Sequence, residues 1–185
     1  MSPESKKSIG RDFTVKVTGT KDIAGYISAS NSLGCDSRIL EINPLIDDIP
    51  VGMDVVDVTL ASFTVKISYD QAIKNFDSAG FKPVPFSVFL DFVVQNIGVV
   101  NFVVPGETTQ MSNKKPRVVC LSKILTKTDQ KMTIISFYRT QINTTSPSPY
   151  LFIDYVYYTD EHGKLVNNTW ENNNEVRTAF LVMKK

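Results

Sequence analysis

The stretch "DVVDVTLASFTVKISYD", residues 54–70, constrains the fold more than any other part of the chain. Apolar side chains occupy every second position from Val56 to Leu60, which is the period of a β-strand with one buried face. From Phe63 onward the apolar residues take the other parity. This switch predicts either a bulge near Ala61 or a strand that is buried on both faces at different points. Such a strand needs neighbours, so we expect a sheet.

Five further segments have the composition of β-strands. Each is rich in Val, Ile, Thr, Tyr or Phe and is bounded by residues that favour turns. They are "FTVKVTG" at 13–19, "RVVCLSKIL" at 117–125, "MTIISFYRTQI" at 132–142, "YLFIDYVYY" at 150–158 and "VRTAFLVMKK" at 176–185. The polar run "TKTDQK" between the second and third predicts an antiparallel hairpin. We also expect "GYISAS" (25–30) and "SRILEINPLI" (37–46) to extend the sheet.

Two segments have helical features. Asp70 stands at an N-cap position before "QAIKNFDSAGF", where Ala72 and Phe76 share a face and Gly80 provides a stop. Residues 85–97 are ambiguous. As a helix they place Ser87, Asp91 and Gln95 on one polar face, whereas as a strand they would bury Asp91 or expose apolar side chains. Periodicity favours the helix, and composition favours the strand.

These patterns predict a mainly β, α+β fold. We expect an antiparallel sheet or a β-sandwich with a jelly-roll-like core, together with one or two short helices. Residues 1–11 are polar and predict a flexible basic arm, and residues 12–185 predict a single globular domain. Hydrophobic residues make up 42% and charged residues 21% of the chain, which is typical of a folded protein.

The sequence carries few signs of enzyme chemistry. The single histidine, His162, falls before Gly163 between two strand patterns, where a turn is the better interpretation than a catalytic or metal site. Asp54 and Asp57 belong to a group of acids that also includes Asp47 and Asp48. Paired acids can catalyse hydrolysis or hold a cation, but solvated loop carboxylates are the more common case. We expect no catalytic residue and no metal site.

Cofactor and export signals are also missing. No glycine-rich phosphate loop, nucleophile elbow or metalloprotease helix occurs, so we expect no cofactor and no small-molecule substrate. Cys35 and Cys120 are far apart and predict reduced thiols. The first residues lack an apolar stretch, which predicts a protein that is not secreted.

Local basic groups are the candidate binding residues. The net charge is only +1, so any contact with nucleic acid or an anionic membrane must be local. One group lies in the arm and the other precedes a predicted strand. The candidate contacts are Lys6, Lys7, Arg11, Lys114, Lys115 and Arg117. Charged residues also protect sheet edges, which is an equally good interpretation.

Six segments follow one another along the chain: the Lys/Ser arm, "SFTVKISY", "DQAIKNF", "PFSVFLDFVV", "MTIISFY" and "YLFIDYVYYTDEH". Their order resembles that of rhabdovirus matrix proteins. The low net charge and the absence of a proline–tyrosine budding motif fit a plant-infecting relative. The segment "SAGFKPVPFSVFLDFVVQNIGVV" also resembles plant-virus movement proteins, and the many strands resemble single-jelly-roll capsid proteins.

The resemblance implies a non-enzymatic viral structural protein. Such a protein would form homo-oligomers and contact the viral nucleocapsid, RNA or an anionic membrane surface. It would reside in the virion and in the host cytoplasm or nucleus. A movement protein, a capsid protein and a hydrolase that works through Asp54 or Asp57 are the alternatives.

Overall fold

The computed structural model describes residues 7–19, 22–30, 33–41, 54–63, 65–96, 115–125, 132–140, 148–159, 161–162, 164–167, 169–170 and 176–185. Its helices are α1 (Ile23–Ala29), α2 (Tyr69–Ser78), α3 (Phe86–Asn96) and a short 3₁₀ helix (Ser37–Glu41). Its strands are β1 (Lys7–Lys16), β2 (Gly34–Cys35), β3 (Val55–Phe63), β4 (Ile67–Ser68), β5 (Phe81–Pro83), β6 (Lys115–Leu125), β7 (Met132–Thr140), β8 (Ser148–Tyr155), β9 (Tyr157–Thr159), β10 (Leu165–Asn167), β11 (Thr169–Trp170) and β12 (Val176–Lys184).

A single large sheet organises the described residues. Its strand order is β1-β3-β12-β6-β7-β8-β2, and β5 pairs with the last residues of β12. The β6–β12 and β2–β8 pairs are parallel and the other pairs in this sheet are antiparallel, so the sheet is mixed. The predicted hairpin of β6 and β7 is present. The mainly β, α+β class is therefore confirmed, but the sheet is mixed where an antiparallel sheet or β-sandwich is expected, and the described residues form three α-helices where one or two are expected.

Apolar side chains cover both faces of this sheet. One face, here called the α3 side, packs Val58, Leu60 and Leu181 against α3 and α1. The other face, the α2 side, packs Phe63 and Phe180 against α2 and the small β4–β11 ribbon. Strands that are buried on both faces read as nearly continuous apolar runs, as "AFLV" in β12 does.

The parity switch in β3 has a definite origin. Val58 and Leu60 face the α3 side, whereas Ala61 and Phe63 belong to the core of the α2 side, so the strand is buried on both faces. The irregularity in pairing lies in the neighbouring strand β1, between Ser8 and Arg11. Gly10 sits there because a Cβ at this position would lie 1.4 Å from the Leu60 carbonyl oxygen.

The second helix begins earlier than the sequence predicts. Ser68, not Asp70, is the N-cap: its hydroxyl accepts from the Gln71 backbone N–H, and the Gln71 side chain accepts from the Ser68 N–H. This reciprocal capping box satisfies two backbone donors, so it determines the start of α2 and leaves Asp70 in the first turn. Gly80, with φ of 78°, follows the helix as predicted.

Two segments that the sequence analysis places in the sheet are helical over most of their described residues. "GYISAS" is helical, because the Asp22 carboxylate accepts from the Gly25 N–H and caps α1, while Ile23 and Ile27 share its buried face. The 3₁₀ helix replaces a strand at 37–41, and the rest of "SRILEINPLI" lies outside the described residues. Residues 7–11, expected in a flexible arm, are part of β1.

Residues 86–96 are helical, as periodicity favours, but the polar face of α3 is not exposed. Ser87 is 6% exposed and Asp91 is 0% exposed. The Asp91 carboxylate accepts hydrogen bonds from the Thr18 backbone N–H at 2.9 Å, the Thr18 hydroxyl at 2.7 Å and the Tyr26 hydroxyl at 2.7 Å. Three donors replace the water that burial removes from this carboxylate.

One turn later, Gln95 binds the end of β1. Its side-chain oxygen accepts from the Lys16 N–H at 3.0 Å, and its amide donates to the Lys16 carbonyl at 2.6 Å. β1 is the last strand of the sheet, so this side chain completes hydrogen bonds that a further strand would otherwise make. We call the five residues Lys16, Thr18, Tyr26, Asp91 and Gln95 the β1–α3 latch.

Removal of the Asp91 carboxylate should destabilise the fold strongly. We expect D91A to lower the free energy of unfolding by roughly 2–4 kcal/mol, because three hydrogen bonds are lost and each contributes about 0.5–1.5 kcal/mol. The matched control is D57A, since the exposed Asp57 carboxylate also accepts from a threonine hydroxyl, at 2.8 Å. That change should cost less than about 0.5 kcal/mol. Urea denaturation measures both, and equal effects would contradict the role of the latch.

The latch also predicts an alkaline transition. Burial, followed by the hydrogen bond to Asp91, raises the pKa of Tyr26 from 10.0 to about 12. Between these values the folded phenol keeps a proton that the unfolded phenol releases, so the free energy of unfolding falls as the pH rises. We expect Y26F to flatten the loss of stability across this interval in denaturation series at stepped pH. An unchanged slope would contradict the assignment.

Candidate functional site

The structure describes the side chains of two of the six predicted basic contacts, Arg11 and Arg117. Lys6 and Lys114 lie outside the described residues. Lys7 begins β1 and Lys115 begins β6, and for these two the structure describes the backbone. Arg11 is exposed on β1, and Arg117 is partly exposed on β6.

Strand register brings several of these positions to one end of the sheet. Lys7 lies opposite Phe63, and Arg117 lies opposite Thr178. Continuing the β3–β12 register for two residues beyond its last pair brings Phe63 beside Thr178. Lys7 and Arg117 therefore occupy one row across the sheet, three strand spacings or about 14 Å apart. Lys115 lies just beyond this row.

Arg11 does not join this group. The pairing irregularity in β1 places Arg11 opposite Leu60, whose side chain packs on the α3 side. The guanidinium carbon of Arg11 lies 5.1 Å from the centre of the Phe13 ring, which is a cation–π distance. Arg117 instead shares the parity of Val119 and faces the α2 side. The sheet thus separates the two arginines onto opposite faces.

Arg117 has aromatic neighbours on the α2 side of β6, β7 and β8. Its Nε and one terminal nitrogen each lie 3.4 Å from the Ser136 hydroxyl on β7. Ser136 lies directly opposite Phe152 on β8, and the Phe152 and Tyr150 ring centres are 4.5 Å apart. Arg117 and both aromatic residues are partly exposed, whereas Ser136 is buried. We call Arg117, Ser136, Tyr150 and Phe152 the β6–β8 surface.

Local contacts hold these aromatic residues in place. The Tyr150 hydroxyl donates to the Cys35 carbonyl at 2.9 Å, where β2 pairs with β8. The alternate residues Leu151 and Ile153 pack into the core of the α3 side. The side chains of β8 therefore alternate between the two faces of the sheet over residues 150–153. The side chains of Tyr155, Tyr157 and Tyr158 lie outside what the structure describes.

A cavity of about 300 Å³ lies where β1, β3 and β12 meet, lined by Asp12, Phe13, Thr14, Asp57, Val58, Thr59 and Lys184. Its two carboxylates are in matched cross-strand pairs. The Thr59 hydroxyl donates to Asp12 at 2.6 Å, and the Thr14 hydroxyl donates to Asp57 at 2.8 Å. Lys184 supplies the opposite charge at the same cavity. The lining of this cavity therefore carries both acidic and basic side chains.

The other predicted acids lie apart from this cavity. Asp54 is exposed just before β3, and its backbone carbonyl accepts from the Val17 N–H at 2.9 Å. Asp47 and Asp48 lie outside the described residues. Within the part of the chain that the structure describes, no group of three His, Cys, Asp or Glu side chains is placed to hold a metal ion.

His162 lies in an exposed turn, as predicted. The turn connects β9 and β10, which form a two-stranded antiparallel ribbon. The His162 Nε2 atom is 3.6 Å from a Glu161 carboxylate oxygen, and both side chains are more than four-fifths exposed, at 82% and 87%. The imidazole at this position is therefore largely surrounded by solvent.

The two cysteines are free thiols. Burial raises the pKa of Cys120 to about 12, and its sulfur lies 3.8 Å from the Val84 carbonyl oxygen. Burial also raises the pKa of Cys35, followed by the effect of the Asp36 charge. Because the thiolate is the reactive form, these surroundings make both sulfurs poor nucleophiles at neutral pH.

Local sequence patterns place Asp91 and Gln95 on one helix face but do not reveal their partners in the latch. Thr18 and Tyr26 are more than sixty residues away from Asp91 in the chain, so only the folded arrangement reveals that they meet. Phe152 lies in a segment that the sequence predicts as a strand, but its proximity to Arg117 depends on the β6–β7–β8 register.

None of the helices among the described residues is long and apolar enough to cross a membrane. No protein-family model, curated protein or solved structure matches this chain.

Proposed function

We propose that this chain is a non-catalytic viral structural protein of the matrix type, which self-associates and binds nucleocapsid RNA or an anionic surface through local basic groups. The observation that carries the proposal is the row of basic positions at one end of the sheet. Lys7 and Arg117 reach this end from strands that are far apart in sequence, and Lys115 lies beside them. The matrix assignment itself rests on the resemblance in segment order.

The low net charge favours a binding mode in which weak contacts are repeated in an assembly. A net charge of +1 gives little long-range attraction to a polyanion, so one subunit contributes only a few phosphate contacts. Linked subunits convert later contacts into intramolecular ones, which raises the overall affinity without any new contact. Self-association and polyanion binding therefore support each other in this proposal.

Binding to a polyanion should depend on salt and on Arg117. We expect the unsubstituted protein to bind heparin and RNA at about 50 mM salt and to lose affinity towards 200 mM, because counterions are released on binding. R117Q should weaken binding and reduce the slope of log affinity against log salt by about 1. The matched control is K74Q, an exposed charge on α2. Fluorescence anisotropy measures both, with circular dichroism to establish folding.

Two outcomes would contradict the proposal. One is an unsubstituted protein that stays monomeric and binds neither heparin, RNA nor anionic vesicles at low salt. The other is a K74Q variant that loses as much affinity as R117Q, because a general charge effect would then replace a defined site.

A further inference from the structure

The β6–β8 surface combines a cation with a pair of aromatic rings. Three adjacent strands present Arg117, Ser136 and Phe152 on one face, and the Tyr150 ring contacts the Phe152 ring in a tilted arrangement. The row that contains Arg117 also contains the Tyr138 and Tyr150 positions, because β6 pairs with β7 and β7 with β8 at these residues. One basic and two aromatic positions therefore lie side by side across the three strands, although they are not adjacent in the sequence.

The arrangement fits two parts of one ligand. A guanidinium binds phosphate by charge and by directed N–H groups. Flat aromatic faces bind nucleobases by stacking, and every base has such a face. The rings of Tyr150 and Phe152 pack against each other, tilted by 43° with centres 4.5 Å apart, and both side chains are partly exposed, which leaves ring surface on which a base can stack. Arg117 reaches Ser136 on β7, the strand next to these rings.

The same features favour binding of single-stranded nucleic acid over binding of other polyanions. In a duplex the bases are paired and stacked, so their faces cannot meet the two rings. An anionic membrane offers phosphate to Arg117 but no flat base. Rigid support also favours a binding role for Tyr150, because its hydroxyl is held by the Cys35 carbonyl and its strand neighbour Leu151 is buried.

We propose that the β6–β8 surface binds single-stranded nucleic acid, with bases stacked on Phe152 and Tyr150 and phosphate at Arg117. This inference rests on the proposed function and names its ligand. It adds a stacking contribution that salt weakens little, whereas the contribution from Arg117 is electrostatic.

The test compares three probes and matched variants. Fluorescence anisotropy follows a labelled oligouridine of about 12 nucleotides, a duplex RNA of the same length and heparin. F152L keeps apolar volume but removes the ring, and we expect it to weaken oligouridine binding by about five- to a hundredfold. Its effect on duplex and heparin should stay within about twofold. The control is F13L, which removes a partly buried ring that contacts Phe92 on the α3 side.

A second measurement needs no variant. An oligouridine that carries 4-thiouridine is crosslinked to the unsubstituted protein by ultraviolet light, and the attached peptides are identified. We expect attachment within β8, at the peptide that contains Tyr150 and Phe152. Attachment only to other peptides would overturn the inference, even where F152L fails to fold.

The outcomes distinguish this inference from the proposed function. If F152L binds oligouridine as tightly as the unsubstituted protein while R117Q weakens all three probes, stacking is refuted and general polyanion binding stands. If the unsubstituted protein binds none of the probes at low salt, both proposals fail. Equal losses in F152L and F13L would also overturn the inference, because a structural effect would then explain them.

Discussion

The buried Asp91 carboxylate is the interaction on which the arrangement around α3 depends. It accepts three hydrogen bonds from Thr18 and Tyr26, and Gln95 adds two more to the last residue of β1. These bonds attach an otherwise apolar helix to the edge of the sheet and to α1. Without them, α3 could slide on its apolar contacts, because dispersion and the hydrophobic effect have little direction. The latch therefore selects one position for the helix.

The proposed β6–β8 surface lies on the α2 side of the sheet, whereas the latch holds α3 on the other face. On the α2 side, α2 and the β4–β11 ribbon cover the centre of the sheet, where Phe63, Phe76 and Phe180 meet. Arg117, Tyr150 and Phe152 are partly exposed beyond that centre. A rigid sheet with a helix fixed on its other face is a suitable support for such a surface, since bases and phosphates require fixed partners. The fold thus places the proposed surface and α3 on opposite faces of the sheet.

The secondary structure of segments with local periodicity could be predicted from the sequence. Contacts between residues that are distant in the chain could not. Alternation in "DVVDVTLASF" indicated β3 and its burial on two faces. The helix at α1 was missed because its signal is a single cap, in which Gly25 leaves room for the Asp22 carboxylate: a Cβ there would lie 2.2 Å from Asp22 Oδ2. Residues on the polar face of a helix are usually exposed. Asp91 is buried instead, because Thr18 and Tyr26, which are distant in the sequence, supply its hydrogen bonds. Arg117 was predicted as a contact, but its aromatic neighbours depend on strand register.

Native-state hydrogen exchange of the Lys16 and Thr18 backbone amides tests the latch most directly. Each N–H donates to a side chain of α3, Lys16 to Gln95 and Thr18 to Asp91. Lys16 ends the edge strand β1 and Thr18 follows it, in a region where amides usually exchange through small local openings. The latch predicts protection close to that of the central strand β12. Exchange of these two amides at the rate of an unprotected strand end, while β12 stays protected, would contradict it.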